Sequence, residues 1–209
     1  THVGMAIGKD GVTQMGLEDV SIMRALPNMK ILNPATYTEA VEVIKYLCNT
    51  DLDSPCYLRL GRQPVGDVFE DEYKFEFGKG VEVTGGNDVT IFSTGCVLSD
   101  VLESAKTIEK NTGKSVRVIN IHTLKPIDEE IIIKAANETN LLITVEDHSI
   151  IGGLGSAVSE VLTEHCPSRL VRIGLNDEFP ESGPPTDLYE KYGLSSSQIS
   201  KRVIDELGK

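Results

Sequence analysis

Apolar residues along this chain follow two spacings, one typical of strands and one typical of helices. The short apolar runs that predict buried strands lie at 30–33, 55–60, 88–93, 116–121, 141–145 and 170–173, with an edge strand at 80–84. The segments that predict amphipathic helices lie at 36–49, 97–110, 128–138, 156–165, 186–191 and 195–207. Because strands and helices alternate, the pattern predicts an α/β fold with a doubly wound, mostly parallel sheet.

The composition changes once along the chain, and this change predicts two units. Residues 65–77 become acidic and aromatic, which is typical of a segment that connects domains. We therefore place the first unit at 1–66, a linker at 67–79 and the second unit at 80–209. Within the first unit, strand, helix and strand follow each other, and this order predicts a parallel crossover.

The stretch from Gly8 to Asn28 predicts a loop that is held by a short helix. Asp10 and Gly11 form a common turn dipeptide, and Gly16 allows positive φ and close approach to a ligand. Glu18 and Asp19 suit the positive end of a helix dipole. On these residues alone, a surface turn leading into a helix is the simpler interpretation.

Charge and cysteine spacing exclude several classes of function. The 209 residues carry a formal net charge of -12, and no run of Lys or Arg could meet a phosphate backbone, so we expect no nucleic-acid partner. No apolar run has the roughly 20 residues needed to cross a bilayer, so we expect no membrane contact and a cytoplasmic location. The cysteines lack CxxC pairing and zinc spacing, and they are Cys48, Cys56, Cys96 and Cys166.

The first 34 residues contain a characteristic series of motifs. A His, several glycines, Asp-Gly-x-Thr, an acidic pair, Arg, Pro-Asn and a Pro-Ala at a helix start follow each other between His2 and Ala35. This series resembles the later part of the pyrimidine-binding domain of transketolases, and the resemblance continues to the C-terminus. The chain is most similar in layout to the C-terminal subunit of split transketolases, with 1-deoxyxylulose-5-phosphate synthase as a near relative. The resemblance implies the C-terminal part of a thiamine-enzyme pyrimidine domain followed by a transketolase C-terminal domain.

The resemblance also implies four substrate-binding residues. His2 would line the substrate channel, and Asp10 would accept hydrogen bonds from a sugar hydroxyl. Gln14 stands where most of the family has a His, and since Gln cannot titrate, only a binding role is left for it. Arg62 would hold the sugar phosphate. Its place just past a strand tip favours that role over Arg59, which lies inside the strand.

Other polar residues are assigned to packing. Gly152-Gly153-Leu154-Gly155 follows a strand but lacks the GxGxxG spacing of a dinucleotide loop. In the family that the chain resembles, such a turn packs the C-terminal domain and its dimer contacts. We therefore expect Glu146, Asp147 and His148 to be structural or interfacial. His122 and His165, at a strand end and a helix end, are assigned to packing.

The cofactor implied by the resemblance is thiamine diphosphate with Mg²⁺ or Ca²⁺, bound in the full assembly. The chain contains no Gly-Asp-Gly motif, and the family's cofactor-activating Glu would lie upstream of His2. We therefore expect no cofactor or metal bound by this chain alone, no complete catalytic set and no activity alone. The first residue is Thr1, so an upstream segment is expected as a separate or removed piece.

The expected function is part of a transketolase that moves a two-carbon ketol unit from a ketose phosphate to an aldose phosphate, as in the pentose phosphate pathway. The expected partners are an N-terminal transketolase subunit or section, a second copy bound through the pyrimidine and C-terminal domains, and sugar phosphates. The alternatives are a deoxyxylulose-phosphate synthase or a transketolase-like enzyme for another sugar. Two further alternatives are an interaction subunit resembling the 2-oxoacid dehydrogenase beta chain and a free-standing binding domain.

Overall fold

A computed structural model describes residues 1–69 and 73–209 of the chain. Glu70 to Glu72, which are part of the predicted linker, lie outside the described residues. The strands are β1 (Lys30–Leu32), β2 (Cys56–Leu58), β3 (Val81–Thr84), β4 (Val89–Thr94), β5 (Val116–Asn120), β6 (Thr123–Lys125), β7 (Leu141–Ser149) and β8 (Leu170–Leu175). The helices are α1 (Asp19–Ala25), α2 (Tyr37–Asn49), α3 (Leu98–Thr112), α4 (Glu129–Glu138), α5 (Leu154–His165), α6 (Pro185–Lys191) and α7 (Ser196–Leu207).

The larger sheet has five strands in the order β3-β5-β4-β7-β8. All neighbouring strands are parallel except β3, which runs antiparallel to β5 at one edge. Because side chains alternate along a strand, β4 sends Ile91 to one apolar cluster and Phe92 to the other. Helices α3 and α7 contribute to the first cluster, and α4 and α5 to the second. The predicted doubly wound, mostly parallel sheet is confirmed.

The smaller sheet has three strands in the order β2-β1-β6. Strands β1 and β2 are parallel, with Ile31 opposite Tyr57, as predicted from the crossover. Strand β6, which the sequence did not predict, pairs antiparallel with β1 although it lies at 123–125. Its Lys125 ammonium donates to the carbonyl oxygens of Arg24 (2.8 Å) and Leu26 (2.7 Å), at the C-terminal end of α1. A strand from the second predicted unit therefore completes the sheet of the first.

Three strand ends differ from the prediction by two residues or more. Strand β2 ends at Leu58, two residues early, although the Arg59 amide still donates to the Leu32 carbonyl oxygen at 2.8 Å. Strand β8 ends at Leu175, two residues later than predicted. Strand β7 continues four residues beyond Val145, and the acidic pair after that residue is buried inside the strand. The polar side chains stay in the strand because buried hydrogen-bond donors meet them, as the site geometry below describes.

The predicted apolar face of α2 is only partly covered in the structure. Val43 is fully buried, whereas Ile44 is 45% exposed. On α1, Val20 is buried and Ile22 is 61% exposed. Both helices of the first unit thus present apolar side chains to the outside.

Among the described helices, none has the length and apolar character needed to traverse a membrane.

Candidate substrate site at the tip of strand β2

The opening loop consists of two short 3-10 helices, Met5–Asp10 and Val12–Gln14. The first is anchored by buried apolar residues, since Met5 and Ile7 are almost inaccessible. Gly11 joins the two at φ 82°, and a Cβ there would lie 2.6 Å from the Ser182 hydroxyl oxygen. Glycine is needed at this turn because a side chain would meet both positive φ and a close neighbour.

The loop is fixed against the tip of strand β2 by backbone pairing. Val3 forms parallel bridges to Gly16 and to Gly61, and the Gly4 amide donates to the Gly16 carbonyl oxygen at 2.9 Å. The segment that begins with His2 therefore lies between the end of the loop and the residue before Arg62. Backbone pairing alone brings these parts of the chain to the same edge of the sheet.

Arg62 and Asp10 form an ion pair at this edge. The guanidinium Nη1 of Arg62 donates to Asp10 Oδ2 at 2.5 Å. The two side chains are 49% and 48% exposed, so both charges are in contact with solvent. An exposed pair of this kind contributes little to stability, and its arginine is free to exchange the carboxylate for another anion.

The other two predicted site residues lie on the same loop. His2 is exposed and has φ 66°, and its Nδ1 lies 3.0 Å from the Thr1 hydroxyl. Gln14 is also exposed and ends the second 3-10 helix, where its backbone N–H donates to the Gly11 carbonyl oxygen at 3.0 Å. Their roles toward a substrate stay predictions.

A cleft of about 410 Å³ opens between the segments that follow β1 and β2. It is lined by the residues on either side of Arg62 in the chain and not by Arg62 itself. Residues that follow β1, such as Pro34 and Ala35, form one side, and Gly61 and Gln63 form the other. The ends of parallel strands in an α/β sheet are where ligands commonly bind. The cleft is therefore a space that could receive a small molecule, although neither Arg62 nor Asp10 lines it.

Arg59, the alternative cation, is committed to buried contacts. Its Nε donates to Asp19 Oδ2 at 2.8 Å, and its Nη2 donates to the carbonyl oxygens of Gly16 and Asp147, both at 3.0 Å. Burial alone would raise the pKa of Asp19, but the charge and hydrogen bonds of Arg59, with the Tyr57 hydroxyl, lower it below its ordinary value. Because Arg59 is only 4% exposed, its guanidinium is held in these internal contacts and is not available at the surface.

Asp147 supports the loop from strand β7. Its Oδ1 accepts from the Met5 amide at 2.9 Å, and its Oδ2 accepts from the Tyr189 hydroxyl at 2.8 Å. The same hydroxyl accepts from Gln63 Nε2 at 3.2 Å. The sequence analysis missed Gln63 and Tyr189. Gln63 could have been found from its position next to Arg62. The sequence offers no such signal for Tyr189, because it lies 126 residues from Gln63 along the chain.

The neighbouring carboxylate, Glu146, fills the glycine turn before α5. It accepts from the amides of Leu154 (2.7 Å) and Gly155 (2.8 Å), and a Cβ at Gly153 would lie 2.0 Å from its Oε2. Burial raises the pKa of Glu146 to about 7, and these two amides oppose the rise. A protein carboxylate thus occupies the place that a phosphate would take in a dinucleotide loop.

The histidines outside the loop lie in packed or surface positions. His122 is buried with its ring centroid 4.7 Å from that of Phe75, and burial lowers its pKa to about 4. Burial and the Arg59 charge lower the pKa of His148 to about 4. His165 is partly exposed, 3.5 Å from a Glu129 carboxylate oxygen.

Metal-ligand chemistry is not assembled in the described part of the chain. Within 1–69 and 73–209, no group of three His, Cys, Asp or Glu side chains is placed to hold a metal ion. The four cysteines are free thiols, of which Cys48 is exposed and the other three are partly buried.

Family models match both parts of the chain. Residues 1–67 match the model described as the transketolase pyrimidine binding domain. Residues 78–199 match the model described as the transketolase C-terminal domain. Together these matches include most of the sequence.

Individual proteins match over nearly the whole chain. A protein of Methanocaldococcus jannaschii, whose name assigns it to the C-terminal section of a transketolase, is 40% identical over 212 residues, which cover 100% of this chain and 65% of that protein. A 6-deoxy-6-sulfo-D-fructose transketolase subunit of Clostridium sp. strain MSTE9 is 37% identical over 196 residues, or 94% of this chain and 60% of that protein.

A solved structure described as a split gene transketolase, inactive beta4 tetramer, superposes with a TM-score of 0.89 at 40% identity. The match covers 98% of this chain and 64% of that one. The chain therefore spans less than two thirds of the length of each of these three proteins.

Proposed function

This chain belongs to the transketolase family. From that premise we propose that it contributes the residues that bind the sugar phosphate in a thiamine-diphosphate-dependent transketolase. The assembled enzyme would move a two-carbon ketol unit from a ketose phosphate to an aldose phosphate. We propose that residues 1–66 are the end of its pyrimidine-binding domain, 67–79 a linker and 80–209 its C-terminal domain. The observation that carries the proposal is the half-exposed Arg62–Asp10 pair just past the tip of strand β2.

Each predicted site residue has a task in this proposal. Arg62 releases Asp10 and holds the phosphate of the sugar through two parallel N–H donors, which suits a planar guanidinium. The freed Asp10 carboxylate accepts hydrogen bonds from sugar hydroxyls. His2 and Gln14 contact the sugar oxygens from the same loop, and Gln14 does so without transferring a proton.

The described residues do not fit a thiamine diphosphate site. They offer no cluster of carboxylate or imidazole ligands for the divalent ion that holds a diphosphate. We propose that the cofactor and its Mg²⁺ or Ca²⁺ are held with residues of an N-terminal subunit or section.

The exposed apolar residues of the first unit support a partner. Strand β2 is at the outer edge of its described sheet, and four of the six large apolar side chains that are exposed in the described chain lie within 1–66. They are Ile22, Leu26, Tyr37 and Ile44. We propose that the N-terminal section and a second copy of this chain cover these helices, and that the chain alone is inactive.

Reconstitution tests the proposal. The chain is assayed alone and with a transketolase N-terminal section, thiamine diphosphate and Mg²⁺, using xylulose 5-phosphate as donor and ribose 5-phosphate as acceptor. We expect transfer only in the mixture. Transfer by the chain alone, or no transfer by a mixture that forms a stable complex, would contradict the proposal.

A second candidate keeps the chemistry and changes the sugar. One relative is named for a sulfonated fructose, whose sulfonate is an anion that a guanidinium could also hold. Gln14 in place of the family's usual His fits a different sugar as well. The same reconstituted mixture is therefore offered 6-deoxy-6-sulfofructose as donor, and a higher kcat/KM than with xylulose 5-phosphate would favour this candidate. Activity with pyruvate as donor would instead indicate a deoxyxylulose-phosphate synthase.

A further inference from the structure

We propose that Asp147 is a positioning residue that holds both halves of the candidate site in register, the opening loop through Met5 and the tip of β2 through Tyr189 and Gln63. The inference rests on the proposed function of that site. It goes beyond the packing role that the sequence analysis gave to Asp147, because packing does not require one carboxylate to contact both segments.

The first contact holds the loop. Asp147 Oδ1 accepts from the Met5 amide at 2.9 Å, and Met5 begins the 3-10 helix that ends at Asp10. Gly4 has φ 79°, and a Cβ at Gly4 would lie 2.1 Å from Asp147 Oδ2. The backbone can approach the carboxylate only because Gly4 has no side chain. The position of Asp10 thus depends on a contact made by strand β7.

The second contact holds the tip of β2. Asp147 Oδ2 accepts from the Tyr189 hydroxyl at 2.8 Å, and that hydroxyl accepts from Gln63 Nε2 at 3.2 Å. Gln63 directly follows Arg62, so the chain of hydrogen bonds ends beside the guanidinium that we propose to bind the phosphate. The Asp147 carbonyl oxygen adds a third contact, since it accepts from Arg59 at 3.0 Å.

The burial of Asp147 explains why these contacts are specific. The residue is buried, and a buried carboxylate is costly unless donors surround it. Burial raises the pKa of Asp147, and the Met5 amide, the Arg59 guanidinium and the Tyr189 hydroxyl oppose the rise. Moving either segment would leave the carboxylate short of a donor. The geometry in which Asp10 and Arg62 meet is therefore the one that best satisfies Asp147.

Four variants of the full chain, assembled with its N-terminal section, test the proposal. Asp147→Ala removes both contacts. Asp147→Asn keeps an oxygen that can accept from the Met5 amide. Tyr189→Phe removes the link to Gln63 and keeps the ring. Leu142→Ala, five residues earlier on β7, is the matched control, because it opens a cavity in the opposite apolar cluster without touching the site.

The first readout is amide hydrogen exchange at residues 2–14 and 59–63. We expect Asp147→Ala to accelerate exchange in both segments by about tenfold over Leu142→Ala, since a hydrogen bond to a buried charge is lost. Asp147→Asn should stay within about threefold of wild type at 2–14. Tyr189→Phe should accelerate exchange at 59–63 and leave 2–14 unchanged, which keeps the test decisive if Asp147→Ala fails to fold.

The second readout is the division of effect between KM and kcat. We expect Tyr189→Phe to raise KM for the phosphorylated donor about threefold to tenfold with kcat little changed, because only positioning of Arg62 is disturbed. Equal exchange in the Tyr189→Phe and wild-type proteins, or a KM in Tyr189→Phe equal to that of Leu142→Ala, would overturn the proposal. If the wild-type assembly transfers no ketol unit, the proposed function fails, and the exchange data still decide whether Asp147 positions the two segments.

Discussion

Two arginines at the end of strand β2, Arg59 and Arg62, lie three residues apart, and each pairs with a carboxylate. The two pairs differ in their exposure and in the other contacts that their guanidinium groups make. Arg59 and Asp19 are 5% and 15% exposed, whereas Arg62 and Asp10 are 49% and 48% exposed. The buried guanidinium also contacts two backbone carbonyl oxygens, of Gly16 and Asp147. Among the residues that the structure describes, the exposed guanidinium pairs with the Asp10 carboxylate.

The difference shows which pair can take part in binding. Removing one member of a buried pair leaves a charge without solvent or partner, so such a pair is hard to open. An exposed pair contributes between 0 and about 1 kcal/mol, so an incoming anion can displace its carboxylate at small cost. The two arginines therefore have different roles. Arg59 joins β2 to α1 and β7, and Arg62 is left for a ligand.

The largest expected effect is the loss of stability in Arg59→Ala. The variant leaves the buried Asp19 carboxylate without its cationic partner. We therefore expect the free energy of unfolding of the chain to fall by about 3–5 kcal/mol in urea denaturation. Arg62→Ala is the matched control, with an expected loss below about 1 kcal/mol. Equal losses in the two variants would remove the distinction between a structural and an available pair.

The pH dependence of stability sharpens the same distinction. The folded pKa of Asp19 is lowered, so the unfolded chain binds more protons than the folded chain just below pH 3.8, the ordinary value for this group. The stability contributed by the pair is therefore present above pH 3.8 and is lost as the pH falls through the folded pKa. Asp19→Asn should be less stable than wild type by about 2 kcal/mol at pH 7, and the gap should narrow below pH 4. A gap that stays constant down to pH 2 would contradict this account.

The sequence predicted the layers of the fold, and it named two candidate site residues that lie together in the structure. The spacing of apolar residues alone predicted the alternation of strands and helices, which the five-stranded sheet confirms. The place of Arg62 after a strand tip, together with a glycine loop carrying Asp10, gave two residues that the structure brings within 2.5 Å. These features depend on local spacing, which a sequence displays directly.

The parts that were not predicted depend on distant partners. Strand β6 is only three residues long and precedes Pro126, so local pattern indicates a loop, and only pairing with β1 makes it a strand. Strand β7 continues past Val145 because donors from Met5, Leu154 and Tyr189 reach its buried acids. No local spacing reveals such donors, since they come from segments up to 142 residues away.

The most direct test of the central claim compares KM for a phosphorylated and an unphosphorylated donor in the reconstituted Arg62→Ala enzyme. Loss of a charge-assisted contact to phosphate should raise KM for xylulose 5-phosphate about tenfold to a hundredfold. KM for an uncharged donor such as xylulose, the same sugar without its phosphate, should change less than about threefold, because Arg62 then has no anionic group to hold. An equal rise for both donors would show that the exposed arginine does not bind the phosphate.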